Sequence, residues 1–376
     1  KLPPMLGYLA AGVLIGPHAM ALAQNSEGVR HLGEFGVVFL MFAIGLEFSL
    51  PKLRAMRRQV FGLGLAQVVL SMLVVTGLAL ALAHLVGGVW EMGWQSALAL
   101  SGVLAMSSTA IVVKLMAERS ELESEHGRRV MGILLFQDLA VVPLLILIPA
   151  LSSSPDRLLT ALGLALLKAA VLVGLLLTGG QRLMRWWLTQ VARRKSDELF
   201  MLNLLLITLG LAWLTELAGL SLALGAFIAG VLVSETEYRH QVGTDIRPFH
   251  DVLLGLCCCA IGMLLDWHIL VDRWALVLVL ITVPLLLKLV LILALARSMG
   301  ATTGVALRTG LYLAQAGEFG FVLLSLTLEN GLVQPALMNP ILAAMVLSML
   351  ATPFLIMYSN RIVMKLVASN GLKKSL

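Results

Sequence analysis

Residues 7–14 read GYLAAGVL and residues 225–232 read GAFIAGVL, so the pattern G-x-x-x-A-G-V-L occurs in both halves of the chain. A second pair of matches follows at nearly the same separation, because Ala43-Ile44-Gly45 corresponds to Ala260-Ile261-Gly262. Small residues at such spacing also occur as generic contacts between helices in membranes. Two matches that keep nearly one separation favour an internal repeat over that generic explanation.

Composition sets the environment in which these repeats must fold. Apolar residues make up 59% of the 376 residues and charged residues 13%, whereas a soluble domain has about 45–50% and about 25%. Such a chain has too few polar residues to cover a globule in water, so we expect an all-α polytopic membrane protein in a lipid bilayer. The net charge of +6 comes from short basic runs between apolar segments, a pattern typical of cytoplasmic loops and not of nucleic-acid binding.

Apolar length predicts about twelve membrane spans. We place them near 4–20, 34–50, 60–86, 95–117, 129–151, 159–180, 198–215, 219–234, 250–265, 274–297, 303–328 and 336–360. Basic residues concentrate after the second, fourth, sixth and twelfth segments, which predicts that both ends of this stretch of chain are cytoplasmic.

The repeated units begin an odd number of spans apart, so they would enter the bilayer in opposite directions. Inverted repeats of this kind are typical of secondary transporters. We therefore expect one membrane domain over residues 1–376, with inverted repeats at about 1–151 and 198–367 and a linker helix at about 159–197.

Two spans at corresponding places in the repeats contain polar, small-residue interruptions. The fourth holds Met106-Ser107-Ser108-Thr109-Ala110, and the eleventh holds Gln315-Ala316-Gly317-Glu318-Phe319-Gly320. Paired interruptions mark the substrate site of many transporters, which predicts two broken helices that cross near the middle of the membrane. Ser107, Ser108 and Thr109 then offer hydroxyl and carbonyl oxygens to an ion, or their hydroxyls bond to the preceding turn.

Asp138 lies inside an apolar run, where a carboxylate costs at least about 2.5–3.5 kcal/mol to insert. Ionisable groups at such positions are functional by default, so we assign Asp138 to a site that binds a monovalent cation or a proton. A carboxylate suits both ligands, and competition between them would be the simplest exchange mechanism. The neighbouring Gln137 either adds an amide oxygen to the site or bonds to an adjacent helix.

Two further charges accompany this carboxylate. Lys288 is deep in an apolar segment, and either pairs with Asp138 when no cation is bound or extends its ammonium to the membrane interface. Glu318 lies in the second interruption, where it would neutralise the positive N-termini of half-helices or ligate the ion directly.

These stretches together resemble the membrane domain of the monovalent cation:proton antiporter-2 family, most closely the Kef-type glutathione-regulated potassium efflux systems. The residues MFAIGLE at 41–47, LFQDLA at 135–140, SETEYRH at 234–240 and GEF at 317–319 carry the resemblance, with the repeats and the first interruption. It implies thirteen spans with the first missing here, and a mobile core domain beside a dimerisation domain. It also implies a homodimer in the cell inner (plasma) membrane, with Asp138 as the protonatable ion ligand and Lys288 as the family's intramembrane lysine. The cytosolic nucleotide-binding regulatory domain of full-length Kef proteins is expected to be absent from this chain.

The sequence therefore predicts a secondary active monovalent cation/proton antiporter, with K+/H+ exchange favoured. K+ or Na+ and H+ would be its substrates, and no cofactor is implied. Na+/H+ exchange and a gated K+ efflux channel are the alternatives. An enzyme is disfavoured, because we find neither a His-Glu metal motif nor a Ser-His-Asp set at consistent depth.

Overall fold

The computed structural model describes residues 4–22, 27–47, 54–86, 92–153, 157–266 and 268–369, and every regular element in these ranges is helical. The α-helices are α1 (Pro4–Ile15), α2 (Glu27–Glu47), α3 (Leu65–Val86), α4 (Trp94–Ala105), α5 (Thr109–Glu118), α6 (Glu125–Leu151), α7 (Leu158–Leu175), α8 (Gln181–Ala192), α9 (Asp197–Leu217), α10 (Leu222–Ser234), α11 (Arg239–Leu264), α12 (His268–Asp272), α13 (Trp274–Ser298), α14 (Thr303–Leu313), α15 (Glu318–Glu329) and α16 (Pro335–Ser369). Wide π-helical turns, Arg58–Gly64 and Leu176–Gly180, precede α3 and follow α7. The predicted all-α fold is confirmed.

Helices long and apolar enough to cross a membrane number six among the described residues, or seven if α14 and α15 form one bent span. Shorter apolar stretches lie within α2 (Phe35–Glu47) and α7 (Leu159–Lys168), and α10 (Leu222–Ser234) is a short apolar helix. The count of about twelve spans stays a prediction. Some residues behind the predicted orientation, including Lys52, Lys373 and Lys374, lie outside the described residues.

Hydroxyl side chains begin several of the helices. Ser108, Ser196, Ser221 and Thr302 each stand directly before a helix and accept a hydrogen bond from the backbone N–H three residues later. Such caps satisfy one of the donors that a helix N-terminus leaves unpaired. Ser108 thereby fixes where α5 starts, next to the first interruption.

The chain divides into two compact units, and each mixes segments from both halves of the sequence. One comprises Lys1–Leu6, Pro51–Leu144 and Leu265–Leu376, and contains both interruptions, so we call it the crossed-helix unit. The other comprises Gly7–Leu50 and Leu145–Leu264, and we call it the glycine-packed unit.

The second repeat motif packs against the first half within the glycine-packed unit. A Cβ atom on Gly45 would collide with the carbonyl oxygen of Phe227, and one on Gly230 would collide with the carbonyl oxygen of Phe42. Helices α2 and α10 therefore approach backbone to backbone, which only small residues permit.

The first repeat motif makes the reciprocal contact in the same unit. A Cβ atom on Gly12 would collide with the carbonyl oxygen of Cys259, and one on Gly262 with that of Leu9. Each glycine motif of one half thus packs on the Ala-Ile-Gly motif of the other half. This reciprocity is what two copies of one structural unit would produce, and it supports the internal repeat.

Candidate functional site

The two polar stretches interrupt their helices as predicted. Helix α4 ends at Ala105 and α5 begins at Thr109, and the backbone between them is extended at Met106 (φ −76°, ψ 147°) and Ser108 (φ −75°, ψ 112°). In the second stretch α14 ends at Leu313 and α15 begins at Glu318, with a bend of 49° between their axes.

The interruptions touch each other inside the crossed-helix unit. A Cβ atom on Gly317 would collide with the carbonyl group of Ser107. The hydroxyl of Ser107 donates to the carbonyl oxygen of Leu313 at 2.8 Å. The predicted crossing of two broken helices is confirmed, and Gly317 is the residue that allows the close approach.

Lys288 of α13 binds the carbonyl ends of both helices that enter the crossing. Its Nζ donates to the carbonyl oxygens of Met106 and Gln315, each at 2.8 Å, and to the hydroxyl of Ser107 at 2.9 Å. Its side chain is buried, so the ammonium does not extend to an interface. The C-terminal ends of helices carry partial negative charge, and three contacts match the three donors of an ammonium. Pairing with Asp138 stays a prediction.

Glu318 lies at the N-terminal ends of α5 and α15, the half-helices that follow the two interruptions. It is the first residue of α15, is 6% exposed, and its Oε1 accepts from the backbone N–H of Ala110 in α5 at 3.1 Å. Because helix N-termini carry partial positive charge, one carboxylate serves the starts of both α5 and α15. This geometry supports the neutralising role; direct ligation of an ion by Glu318 stays a prediction.

Gln137 of α6 is fully buried and its amide is engaged at both ends. Its Oε1 accepts from the N–H of Ser107 at 2.8 Å, and its Nε2 donates to Gln67 Oε1 at 2.8 Å and to the Ala105 carbonyl at 3.2 Å. Of the two roles open to Gln137, the structure shows the helix-bridging one. Gln67 is part of the same network and also donates to Ser71.

Asp138 lies beside the start of α5. The hydroxyl of Thr109 donates to its Oδ1 at 3.1 Å, and both side chains are half-buried. Among the three hydroxyl residues of the first interruption, Ser107 links the two breaks and Ser108 caps α5, whereas Thr109 contacts the carboxylate. The structure therefore brings Thr109 and Asp138 together as a group of oxygen atoms that could hold a cation.

An apolar cavity of about 530 Å³ lies between α3, α4, α13 and α16 of the crossed-helix unit. Lys288, Ala314 and Ala316 border it, and most of its other wall residues are apolar. The hydrogen bonds of Lys288 go to its three acceptors at the crossing, which are the carbonyls of Met106 and Gln315 and the hydroxyl of Ser107.

A second polar cluster, which sequence reasoning missed, joins the α5–α6 loop to α14. Glu121 accepts from the hydroxyl of Tyr312 and from Arg119 Nε at 3.0 Å, and its carboxylate also contacts His126 Nε2 at 3.3 Å. Burial alone would raise the pKa of Glu121, but the hydrogen bonds from Tyr312, Arg119 and His126 outweigh it and lower that pKa. The only signal in the sequence was a tyrosine three residues before the second interruption.

Comparison with known proteins now identifies the type of protein that carries this crossing. The family model of the transmembrane sodium/hydrogen exchanger matches residues 1–357. The chain belongs to the sodium/hydrogen exchanger family. This family consists of transporters and not of enzymes, and ions are its substrates.

Relatives of this exchanger chain support the resemblance to Kef-type proteins. K(+) efflux antiporter 1, chloroplastic, of Arabidopsis thaliana is 42% identical over 359 residues, which is 94% of this chain and 30% of that protein. "Putative K(+) efflux antiporter KefB" of Alkalimonas amylolytica is 41% identical over 361 residues, which is 95% of this chain and 53% of that protein. The exchanger chain thus spans about half or less of the length of these relatives.

The fold is shared with a solved exchanger. The sodium proton antiporter MjNhaP1 from Methanocaldococcus jannaschii, in a structure at pH 8, aligns with a TM-score of 0.65 over 96% of this chain and 92% of that one. At 14% sequence identity, this similarity shows the fold alone.

Proposed function

We propose that this chain exchanges K+ for H+ and that Asp138 binds the two ions alternately. The observation that carries the proposal is the contact between Thr109 and Asp138 at the end of the first interruption. Carboxylate, hydroxyl and main-chain oxygens are the ligands that hard cations prefer, and the same carboxylate can hold a proton instead. Main-chain oxygens of Ser107 and Ser108 would complete the set, while Gln137 would hold the interruption in place.

The charges around the crossing favour one proton per cation. Lys288 is held by the carbonyl ends of the broken helices, and Glu318 by their amide ends. These opposite charges compensate the helix dipoles and each other. Asp138 would then change between a protonated and a cation-bound form that carry the same charge, so the exchange would be electroneutral.

Potassium is proposed over sodium because the two relatives above are named as K(+) efflux antiporters. Sodium is the alternative cation, and a gated K+ efflux channel is the alternative mechanism. If the cation were sodium, the substrate would differ but the role of Asp138 would be the same. A channel, in contrast, would not couple cation flux to proton flux.

We place the protein as a multi-pass protein of the cell inner (plasma) membrane, with both ends of this chain in the cytoplasm. The distribution of basic residues supports that orientation. We further propose a homodimer, and control by a nucleotide- or glutathione-binding regulatory domain or an ancillary subunit. The resemblance to Kef-type systems supports both, and the greater length of the relatives leaves room for such a domain. Within this chain, inverted repeats at about 1–151 and 198–367 would flank the linker helix at about 159–197.

Proton flux in proteoliposomes tests the function. Vesicles with an internal pH dye and an imposed pH gradient receive K+, Na+ or Li+ in turn. We expect K+ to change the dye signal, Asp138→Asn to abolish the change, and Asp197→Asn, the same substitution at an exposed carboxylate, to keep it.

Each contrary outcome has a defined meaning. A signal with Na+ or Li+ but not with K+ would assign the chain to sodium exchange. Cation flux without proton movement would indicate a channel. Full exchange by Asp138→Asn would overturn the site, and a transport current that grows with flux would overturn electroneutrality.

A further inference from the structure

Gln315 is a buried amide to which none of the described residues supplies a side-chain hydrogen bond. It lies in the second interruption, its side chain is 0% exposed, and neither Oε1 nor Nε2 has a hydrogen-bond partner among the described residues. Each buried polar group left unpaired costs about 1–3 kcal/mol. Gln137, the equally buried amide on the other side of the crossing, has protein partners at both ends.

The backbone of this residue does not explain why a glutamine stands here. Lys288 binds the Gln315 main-chain carbonyl, which any residue would provide. A leucine would fill similar space without an unpaired amide. Since none of the described residues pairs with this amide, we look for a partner that is not a protein atom.

The chemistry of the amide selects that partner. Nε2 needs an acceptor and Oε1 needs a donor. A bare cation would satisfy Oε1 only and would be repelled by the amide hydrogens, while an anion would satisfy Nε2 only and would be opposed by Glu318. Water both donates and accepts, and buried waters are commonly found where protein groups lack partners.

The nearby carboxylate of Glu318 also has an oxygen atom that no described residue hydrogen-bonds. Glu318 Oε2 is also buried without a partner among the described residues, while Glu318 Oε1 is bound to Ala110. Glu318 is the third residue after Gln315, so their Cα atoms are within about 11 Å of each other. A short chain of waters can connect the two side chains over such a distance.

We propose that Gln315 binds ordered water in the second interruption and that this water also hydrates Glu318. Gln315 belongs to the second interruption, whereas the cation ligands proposed at Thr109 and Asp138 belong to the end of the first and to α6, and the proposal does not depend on which cation the protein carries. Water held there supplies the hydrogen-bond donor that Glu318 Oε2 lacks, and so supports the carboxylate that serves the starts of α5 and α15.

X-ray hydroxyl-radical labelling in oxygen-18 water, read by peptide mass spectrometry, tests the proposal on the whole chain in lipid nanodiscs. Residues 313–324 are all buried, so bulk solvent does not label this segment, and water bound at Gln315 and Glu318 within it would. We expect oxygen-18 on the segment of residues 313–324 in the wild-type protein and its loss in Gln315→Leu. Phe42, which is 0% exposed, serves as the internal control and stays unlabelled in both proteins.

The result with the wild type alone can overturn the proposal, so the test stands even if Gln315→Leu fails to fold. No label anywhere on residues 313–324 in the wild type would show a dry site. Equal labelling in both proteins would show that Gln315 does not hold the water. Labelling in choline chloride that disappears in potassium chloride would assign the site to the cation and overturn the assignment to water.

Discussion

Gln137 accepts a hydrogen bond from the backbone N–H of Ser107 at 2.8 Å, so the side chain next to Asp138 holds the first interruption in its extended shape. The same amide donates to Gln67 and to the last carbonyl of α4. Helices α3, α4 and α6 are thereby tied together at the place where α4 stops. The position of the candidate carboxylate relative to Thr109 depends on this link.

Replacing Gln137 with leucine should lower the stability of the protein more than it lowers cation affinity. The substitution leaves the Ser107 N–H and the Oε1 atom of Gln67 without the partners that Gln137 provides, and each such group costs about 1–3 kcal/mol. Thermal melting of the purified protein measures the loss. Gln190→Leu, the same change at an exposed site, is the control and should have little effect. An unchanged melting temperature in Gln137→Leu would contradict the bracing role.

Lys288→Met should also destabilise the fold, because it removes the ammonium that binds two carbonyls and a hydroxyl. Hydrogen bonds to charged groups contribute about 1.5–3 kcal/mol each, so we expect a fall in melting temperature larger than for Gln137→Leu. Lys365→Met removes an exposed lysine of the same unit and should melt like the wild type. Equal melting of all three proteins would mean that Lys288 does not hold the crossing together.

The sequence predicted the parts of the site that have a local signature. The interruptions were visible as polar, small residues within apolar spans, Asp138 as a charge in an apolar run, and the glycine contacts as a repeat. Gln315 was visible within an interruption, but its lack of partners was not, because this depends on how side chains turn around the crossing.

Contacts between distant segments had no such signature. Glu121 and Tyr312 are far apart in sequence, and only the packing of α14 brings them together.

The predicted bounds of two helices also differ from those in the structure. Helix α11 begins at Arg239, well before the apolar run predicted from residue 250, because a helix can extend through polar residues. Helix α1 ends at Ile15, short of the predicted residue 20, and Pro17 follows soon after, as expected for helices before proline.

Glu121 should make stability depend on acid pH. Its pKa is lowered in the folded protein, since the hydrogen bonds from Tyr312, Arg119 and His126 outweigh the effect of burial. A carboxyl with a lowered pKa contributes stability above its unfolded pKa of about 4.3, and that contribution is lost as the pH falls through the folded value. Glu121→Gln should therefore melt lower than the wild type at neutral pH and show a smaller further loss between about pH 5 and pH 3.

The control for this prediction is Glu123→Gln, which changes an exposed carboxylate in the same loop. Its melting curve should follow the wild type at every pH. Parallel pH curves for Glu121→Gln and the wild type would show that the carboxylate of Glu121 does not contribute to the acid dependence.

Gly317→Ala should disrupt the crossing itself. The added Cβ atom would collide with the carbonyl group of Ser107, which is part of the backbone and cannot turn aside as a flexible side chain would. The two interruptions would have to separate, and that movement would disturb the contact between Ser107 and Leu313. We expect a lower melting temperature and a loss of exchange in proteoliposomes. Gly77→Ala is the matched control, because a Cβ atom there meets no atom within 4 Å and alanine stabilises a helix by roughly 0.5–1 kcal/mol over glycine. If Gly317→Ala melted and exchanged ions like Gly77→Ala, the close contact between the two broken helices would not be required for either stability or transport.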